Sequence, residues 1–549
     1  MVTPAAEISP PTSLPARRSL SGERALLAAV FFVGAVVRLA PVLRADFPIG
    51  DGGMFYVMAR DLEQNGFRLP AYTTYNGAGI PFAYPPLGFY LAALVDRVTP
   101  LSLLDAVRLL PPIFSVLTVV AFYRLARTIL GPGLPAVLAT GCFAVFARSY
   151  GWEIVGGGLT RSPGFFFAVL AIEQIFMLYR EGGWRRVALS SLFASLAVLS
   201  HLETALFVAL SALLFFLAYG RNRQGVRDSL LVAVGVLALS APWWATVLAQ
   251  HGLAPFRAAL GAGQSPWVGL VNLIFLNLSQ ELSFPGIRAL SLIGVAICLY
   301  RRRWLLPAWL VLLFLGDSRK GLTLISVPIA LLASIALSEV LHPFLQRALP
   351  AERWRNVLYL GLGAYAGFYL ILSNTLAIQL LTQPLSAQER LAMEWITIHT
   401  PPSAHFLVMT GDDIASDRSR EWFPALTGRI SLNTVQGTEW FPTLWQHIGA
   451  AIALQACNAE DGTCLEHWAA QYHRSFAYVY IVKRPALRLD SSGIYVQFPD
   501  SQSDCCAALR HALQHDPQYR VIFDNTAVTI FERLPDHAQA RAATERERS

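Results

Sequence analysis

About eleven apolar runs, separated by short polar or basic links, fill the first 376 residues of this chain, far more than the core of a water-soluble fold has room for. The first runs from Ala25 to Leu43. The others lie near 108–128, 134–150, 164–179, 187–201, 204–219, 229–247, 286–300, 304–316, 321–340 and 357–375. A polytopic α-helical membrane protein is therefore predicted, with a polar C-terminal domain after residue 384.

Composition supports that division. Only 14% of the residues are charged and 54% are hydrophobic, whereas soluble domains carry about 25% charged residues. The net charge of +7 does not point to nucleic acid, because the arginines sit in small clusters between apolar runs, as cytoplasmic loops require. Those clusters are Arg124 and Arg127; Arg180, Arg185 and Arg186; Arg221, Arg223 and Arg227; Arg301 to Arg303; and Arg347, Arg353 and Arg355. They fall in every second link. Arg17, Arg18 and Arg24 hold the N-terminal tail, residues 1–24, in the cytoplasm, with the first helix retained rather than cleaved.

An odd number of crossings then places the C-terminal domain outside. Its position depends on splitting the stretch 187–219 at Ser200, His201 and Glu203, since a single helix of that length would overshoot the bilayer. Four of the six cysteines, Cys457, Cys464, Cys505 and Cys506, fall in that domain, which suits an oxidising compartment. Cys457 and Cys464 enclose a short loop and are expected to pair; the partners of Cys505 and Cys506 stay open. The resulting plan is a membrane domain over 25–376 with a large first outer loop, 44–107, an extracytoplasmic α/β domain over 384–535 and a polar tail, 536–549.

Within the first outer loop, Asp51 to Asn65 and Tyr84 to Val95 read as helices lying in the interface, the second opening at Pro85 and Pro86. In the outer domain Ser386 and Glu389 form a capping box that opens a helix ending before Pro401. Strands are expected at His405 to Met409, Phe476 to Val482, Tyr495 to Phe498, Val521 to Phe523 and Val528 to Phe531, and helices near 441–456 and 504–514. Gly411, Asp412 and Asp413 read as a loop rather than a metal motif.

Ionisable groups beside membrane spans are functional candidates, because holding them there is costly. Asp46, Asp51, Arg60 and Asp61 lie in the first outer loop. Glu153 and Arg161 flank Gly156 to Gly158 in the second, His201 and Glu203 cap a short hairpin, and Asp317, Arg319 and Lys320 follow at another outer helix end. Carboxylates that take a proton and cations that hold an anion suit group transfer from a phosphate-linked donor. A lipid-anchored donor would keep its chain in the bilayer while its phosphate reaches the interface.

Arg38 near the end of the first helix, Asp51 with Phe55 and Tyr56 behind it, and the helix start Tyr84, Pro85, Pro86 and Leu87 give the first 200 residues a familiar order. In that order the chain resembles the GT-C membrane glycosyltransferases, in the branch of the protein O-mannosyltransferases and the lipid A aminoarabinose transferase. The resemblance implies inverting transfer from a polyprenyl-phosphate sugar, with Asp51 as base. Gly52 and Gly53 depart from the pattern, since many members carry a second acidic residue there. The Trp-Trp-Asp motif of oligosaccharyltransferases is absent from the sequence, which disfavours transfer of a whole glycan to asparagine.

Each candidate also has a plainer role. Asp51 would serve as a helix cap, Glu153 as a loop charge or a substrate contact, and Arg161 as an interfacial anchor. His201 and Glu203 would satisfy each other at a helix break, and two residues are too few for a metal site. Arg319 and Lys320 are read as a phosphate-binding pair or as snorkelling anchors. Tyr56 and Tyr84 are candidate substrate contacts, and Trp243 and Trp244 are expected at the interface. No cofactor is implied beyond an optional divalent metal, and the expected partners are the donor, membrane lipid and an acceptor of unknown class. A secondary transporter fits less well for want of an inverted repeat, and an inactive GT-C-like scaffold for envelope assembly is separable only by assay.

Overall fold

A computed structural model describes residues 19–261, 270–271, 286–316, 323–348, 352–372, 383–414, 417–485, 487–489, 495–497 and 504–534. Every predicted apolar run forms or overlaps a helix: α1 (Ser19–Arg44), α4 (Leu103–Leu130), α5 (Leu134–Val145), α6 (Gly158–Glu181), α7 (Trp184–Ser200), α8 (Leu202–Tyr219), α9 (Arg223–His251), α11 (Gly286–Tyr300), α12 (Leu305–Gly316), α13 (Ser326–Ala348) and α14 (Glu352–Leu372). Among the described residues six helices are long and apolar enough to cross a bilayer, and α5, α11 and α12 are shorter apolar helices. The chain is an integral multi-pass membrane protein. Eleven crossings remains the reading of the sequence.

Local chemistry sets the helix ends. Ser102 and Asp105 form a capping box at the start of α4, and Asn222 caps α9 through the Gly225 N–H. Extended backbone at His201, with φ −159° and ψ 132°, breaks the 187–219 stretch. The expected split is thus observed.

The loop between α1 and α4 holds α2 (Gly53–Gln64) and α3 (Leu87–Val98), and a short helix, α10 (Ala254–Gly261), follows α9. The C-terminal domain opens with α15 (Ala387–His399), capped by the predicted Ser386 and Glu389 box, and includes α16 (Arg418–Thr427). Its five-stranded sheet has the order β2-β1-β3-β7-β6. β2 (Ile430–Ser431), β1 (His405–Met409) and β3 (Tyr478–Val482) run parallel, while β7 (Val528–Arg533) is antiparallel to β3 and to β6 (Tyr519–Asp524). Two short strands, β4 (Leu487–Leu489) and β5 (Tyr495–Gln497), pair apart from it. Cys457 and Cys464 form the expected disulfide, and Cys505 pairs with its neighbour Cys506.

The C-terminal domain does not stand clear of the membrane body. One apolar core joins Phe47, Met54, Phe55 and Val57 of the first loop to Trp243 of α9 and to Phe406, Trp422 and Trp440 of the C-terminal domain. Burying a side chain of that size stabilises the junction by about 1.5–3 kcal/mol. Two expectations change as a result. α2 starts at Gly53 and turns its apolar face to α3 and α16 rather than to lipid, and Trp243, expected as an interface aromatic, is buried within the protein, packed 6.0 Å from Phe256.

Candidate active site

Three stretches of backbone meet at Asp51 with no side chain between them. Gly52 has φ +122°, and a Cβ there would lie 2.7 Å from the Gly156 carbonyl carbon. A Cβ on Gly53 would lie 2.6 Å from the Glu421 oxygen, and one on Gly156 2.1 Å from the Asp51 oxygen. Only glycine permits such an approach. The glycines after Asp51 and those at 156–158 thus serve one purpose, which is to bring the first loop, the second loop and the C-terminal domain into contact.

Asp51 does not cap α2. That helix has Gly52 at its cap position and receives no side-chain bond from it. Instead, Asp51 Oδ1 accepts the Gly157 N–H at 2.9 Å, and Arg161 NH2 lies 3.2 Å from Oδ2 and 3.4 Å from Oδ1. Arg161, in the first turns of α6, is oriented by the Trp152 carbonyl at 3.2 Å and lies over the Trp152 ring. As an interfacial anchor it would face lipid; here it faces a carboxylate.

Glu153 is buried, and its Oε2 meets no hydrogen-bond partner. Burial pushes its carboxyl up to about 7, with Arg161 opposing and Glu203 reinforcing the shift. His201 Nε2 lies 3.5 Å from Glu203 Oε2, and its Nδ1 is 3.4 Å from Thr160 Oγ1, one residue before Arg161. The expected His201 and Glu203 pair therefore exists and borders the same cluster.

Tyr56 packs against Trp422 with ring centroids 6.1 Å apart, beneath the guanidinium of Arg60. Tyr84 lies between Phe55 at 5.1 Å and Trp440 at 4.9 Å. Both thus connect the first loop to the C-terminal domain. Asp61 is absorbed by Thr73 and by the backbone and hydroxyl of Thr74, and Asp46 pairs with Arg390 of α15. Arg38 is a buried staple between helices, donating to Ser115, Ser149 and the Ala144 carbonyl. Asp317, Arg319 and Lys320 lie outside the described residues.

Two groups were not legible as site residues. Glu421, in the first turn of α16, is buried, and its Oε1 accepts the N–H of Gly52 at 2.9 Å and of Met54 at 3.4 Å. Burial, and next the charge of Asp51, push it up to about 8, against the two backbone donors and Arg161. A carboxyl group thus stands beside Gly52 and Gly53, where the family pattern has an acidic residue in sequence. Arg148, in a turn at 147–149 packed against the 326–336 stretch of α13, is buried with none of its guanidinium nitrogens hydrogen-bonded. A buried charge without a partner is costly, and a lone arginine between apolar runs gives no sign of it in sequence. Among the described residues no three His, Cys, Asp or Glu side chains are grouped to hold a metal, so no step is assigned to one.

The family model described as dolichyl-phosphate-mannose-protein mannosyltransferase matches residues 83–245. No curated protein matches the chain. Among solved structures it is similar to the oligosaccharyltransferase AglB from Archaeoglobus fulgidus, in complex with an inhibitory peptide and a dolichol-phosphate, at 14% identity and TM-score 0.56, covering 95% of this chain and 81% of that one. It is also similar to ArnT from Cupriavidus metallidurans bound to undecaprenyl phosphate, at 14% identity and TM-score 0.50, covering 94% and 98%. The fold is that of the GT-C membrane glycosyltransferases, as the order of Arg38, Asp51 and Tyr84 to Leu87 implied.

Proposed function

We propose that the protein transfers a sugar from a polyprenyl-phosphate donor to an acceptor hydroxyl at the outer face of the membrane, with inversion. The observation that carries this reading is Asp51 itself, held by the Gly157 N–H and Arg161 where the membrane body meets the outer domain. The GT-C fold and the polyprenyl phosphates bound to AglB and ArnT support the donor class. In one displacement the Asp51 carboxylate takes the acceptor proton, the acceptor oxygen bonds to the anomeric carbon, and the bond from that carbon to the phosphate oxygen breaks. The electron pair leaves on the polyprenyl phosphate.

The leaving phosphate needs cations that are not already engaged. Arg161 is committed to Asp51. Arg148 has all of its guanidinium donors available, in a turn near the helix that follows Arg319 and Lys320 in sequence, and we assign the phosphate to these three.

Asp51→Asn tests the reading. The amide retains the size and an acceptor for the Gly157 N–H but takes no proton, so transfer from a labelled polyprenyl-phosphate sugar should fall by about 100- to 10,000-fold while donor binding persists. Transfer at the normal rate would remove Asp51 from the chemistry, and no transfer by the unaltered protein would favour a scaffold.

A further inference from the structure

We propose that Glu421, contributed by the outer domain, is a positioning residue of the Asp51 site, fixing the backbone beside that carboxylate and, through its own proton, setting the charge that the site presents. The inference rests on the transferase reading above.

Its geometric basis is a clamp with two jaws. From the membrane body, Gly157 donates its N–H to the Asp51 side chain. From the outer domain, Glu421 Oε1 accepts the N–H of Gly52, the peptide that directly follows Asp51, and that of Met54 one turn inside α2. The same segment of the outer domain grips the loop twice more, through Trp422 Nε1 to the Gly50 carbonyl at 3.1 Å and Tyr75 Oη to the Glu421 carbonyl at 2.8 Å. Glu421 lies in the first turn of its own helix, α16, yet Asp417 caps that helix. Its carboxyl group is turned instead to the N-terminus of α2, where a negative or hydrogen-bond-accepting group is favoured.

Among the described residues no ion pair neutralises Glu421. The titratable groups that face it are Asp51 from the loop before α2, Arg161 from α6 and the Tyr75 hydroxyl from the turn at 75–77. Arg161 already pairs with Asp51 and also lies in the field of Glu153 and Glu203, so an ionised Glu421 adds a further negative charge around one cation. With its proton on, Glu421 leaves the Asp51 and Arg161 pair undisturbed; with its proton off, it disfavours a phosphate-bearing donor. The upward shift to about 8 keeps the proton on through neutral pH.

The test is the pH dependence of transfer by the full-length protein in nanodiscs, from pH 5.5 to 9.5, for the unaltered chain, Glu421→Gln and Glu421→Ala. Alanine leaves the Gly52 and Met54 N–H groups without an acceptor, and kcat should drop on the order of tenfold or more. Glutamine restores an acceptor oxygen and should recover most of that loss, while the decline in kcat/KM on the alkaline side seen in the unaltered chain disappears. A glutamine variant no better than alanine, or one whose pH profile overlays that of the unaltered chain, overturns the proposal. If the unaltered chain transfers no sugar at any pH, the transferase reading fails and thermal melting decides Glu421 alone. An alkaline fall in melting temperature that Glu421→Gln abolishes supports its titration beside Asp51, and identical curves overturn it.

Discussion

Two buried clusters of charge in this protein look alike in composition and behave differently. At the end of the C-terminal sheet, Glu389, Asp412 and Asp417 face Arg418, Arg420 and Arg484, three carboxylates to three guanidinium groups. Arg484 lies 2.6 Å from Asp412 and 3.7 Å from Glu389, Arg420 lies 3.1 Å from Asp417, and Ser419 bridges Glu389 and Arg484. Burial raises the Glu389 carboxyl, but Arg484 and Arg418, with the Ser419 and Ser386 hydroxyls, more than offset it and hold it below its ordinary value. Around Asp51 the balance is different. Asp51, Glu153, Glu203 and Glu421 share the field of Arg161, and Glu153 and Glu421 are both raised. A cluster whose charges cancel holds a structure together, whereas one left short of cations has chemistry to do when a substrate arrives.

The comparison breaks most sharply at Asp51, where asparagine should cost about 100- to 10,000-fold in transfer and little in folding. Arg484→Met should do the reverse. It strands Asp412 and Glu389 without their cation, which costs about 3–5 kcal/mol of stability, readable as a lowered denaturation midpoint with transfer intact in the fraction still folded. Gly157→Ala is subtler: φ is −66°, so the backbone accepts alanine, but the new Cβ would lie 2.4 Å from Asp51 Oδ2. The mobile carboxylate gives way, stability changes little, and misplacing it by about 1 Å should cost about 100-fold in kcat. Gly141→Ala, whose Cβ would meet only Val30 at 3.6 Å, is the control and should leave transfer at the normal rate.

Acid and base separate the clusters with smaller effects. Because Glu389 lies below its ordinary 4.5 in the folded chain, its contribution is present above that value and is lost as pH falls through the folded pKa. Glu421 is raised to about 8, so its contribution is complete below about 4.5 and is lost as pH rises toward 8. Melting temperature against pH should therefore fall on both sides, and Glu421→Gln should flatten the alkaline side alone. If both clusters lie outside the membrane, a cysteine at the exposed Glu460 should label in intact cells and one at Arg302 should not. The opposite pattern would overturn the helix count.

Much of the fold was written in local sequence. Apolar runs long enough to span become helices whichever neighbours they meet, and the Ser386 and Glu389 box and the break at His201 act within a few residues of chain. The expected pairing of Cys457 with Cys464 likewise needed only a short loop. Asp51, Glu153, Arg161 and His201 were recognisable because charge beside a membrane span is costly wherever it occurs. What they do to one another was not, because hydrogen bonds and ion pairs span 106 residues between Asp51 and Gly157 and 369 between Gly52 and Glu421. Gly52 and Gly53 looked in sequence like the loss of an acidic residue. In the folded chain they are the space into which another domain brings one, and no local pattern encodes a contact whose two halves are brought together only when the C-terminal domain docks.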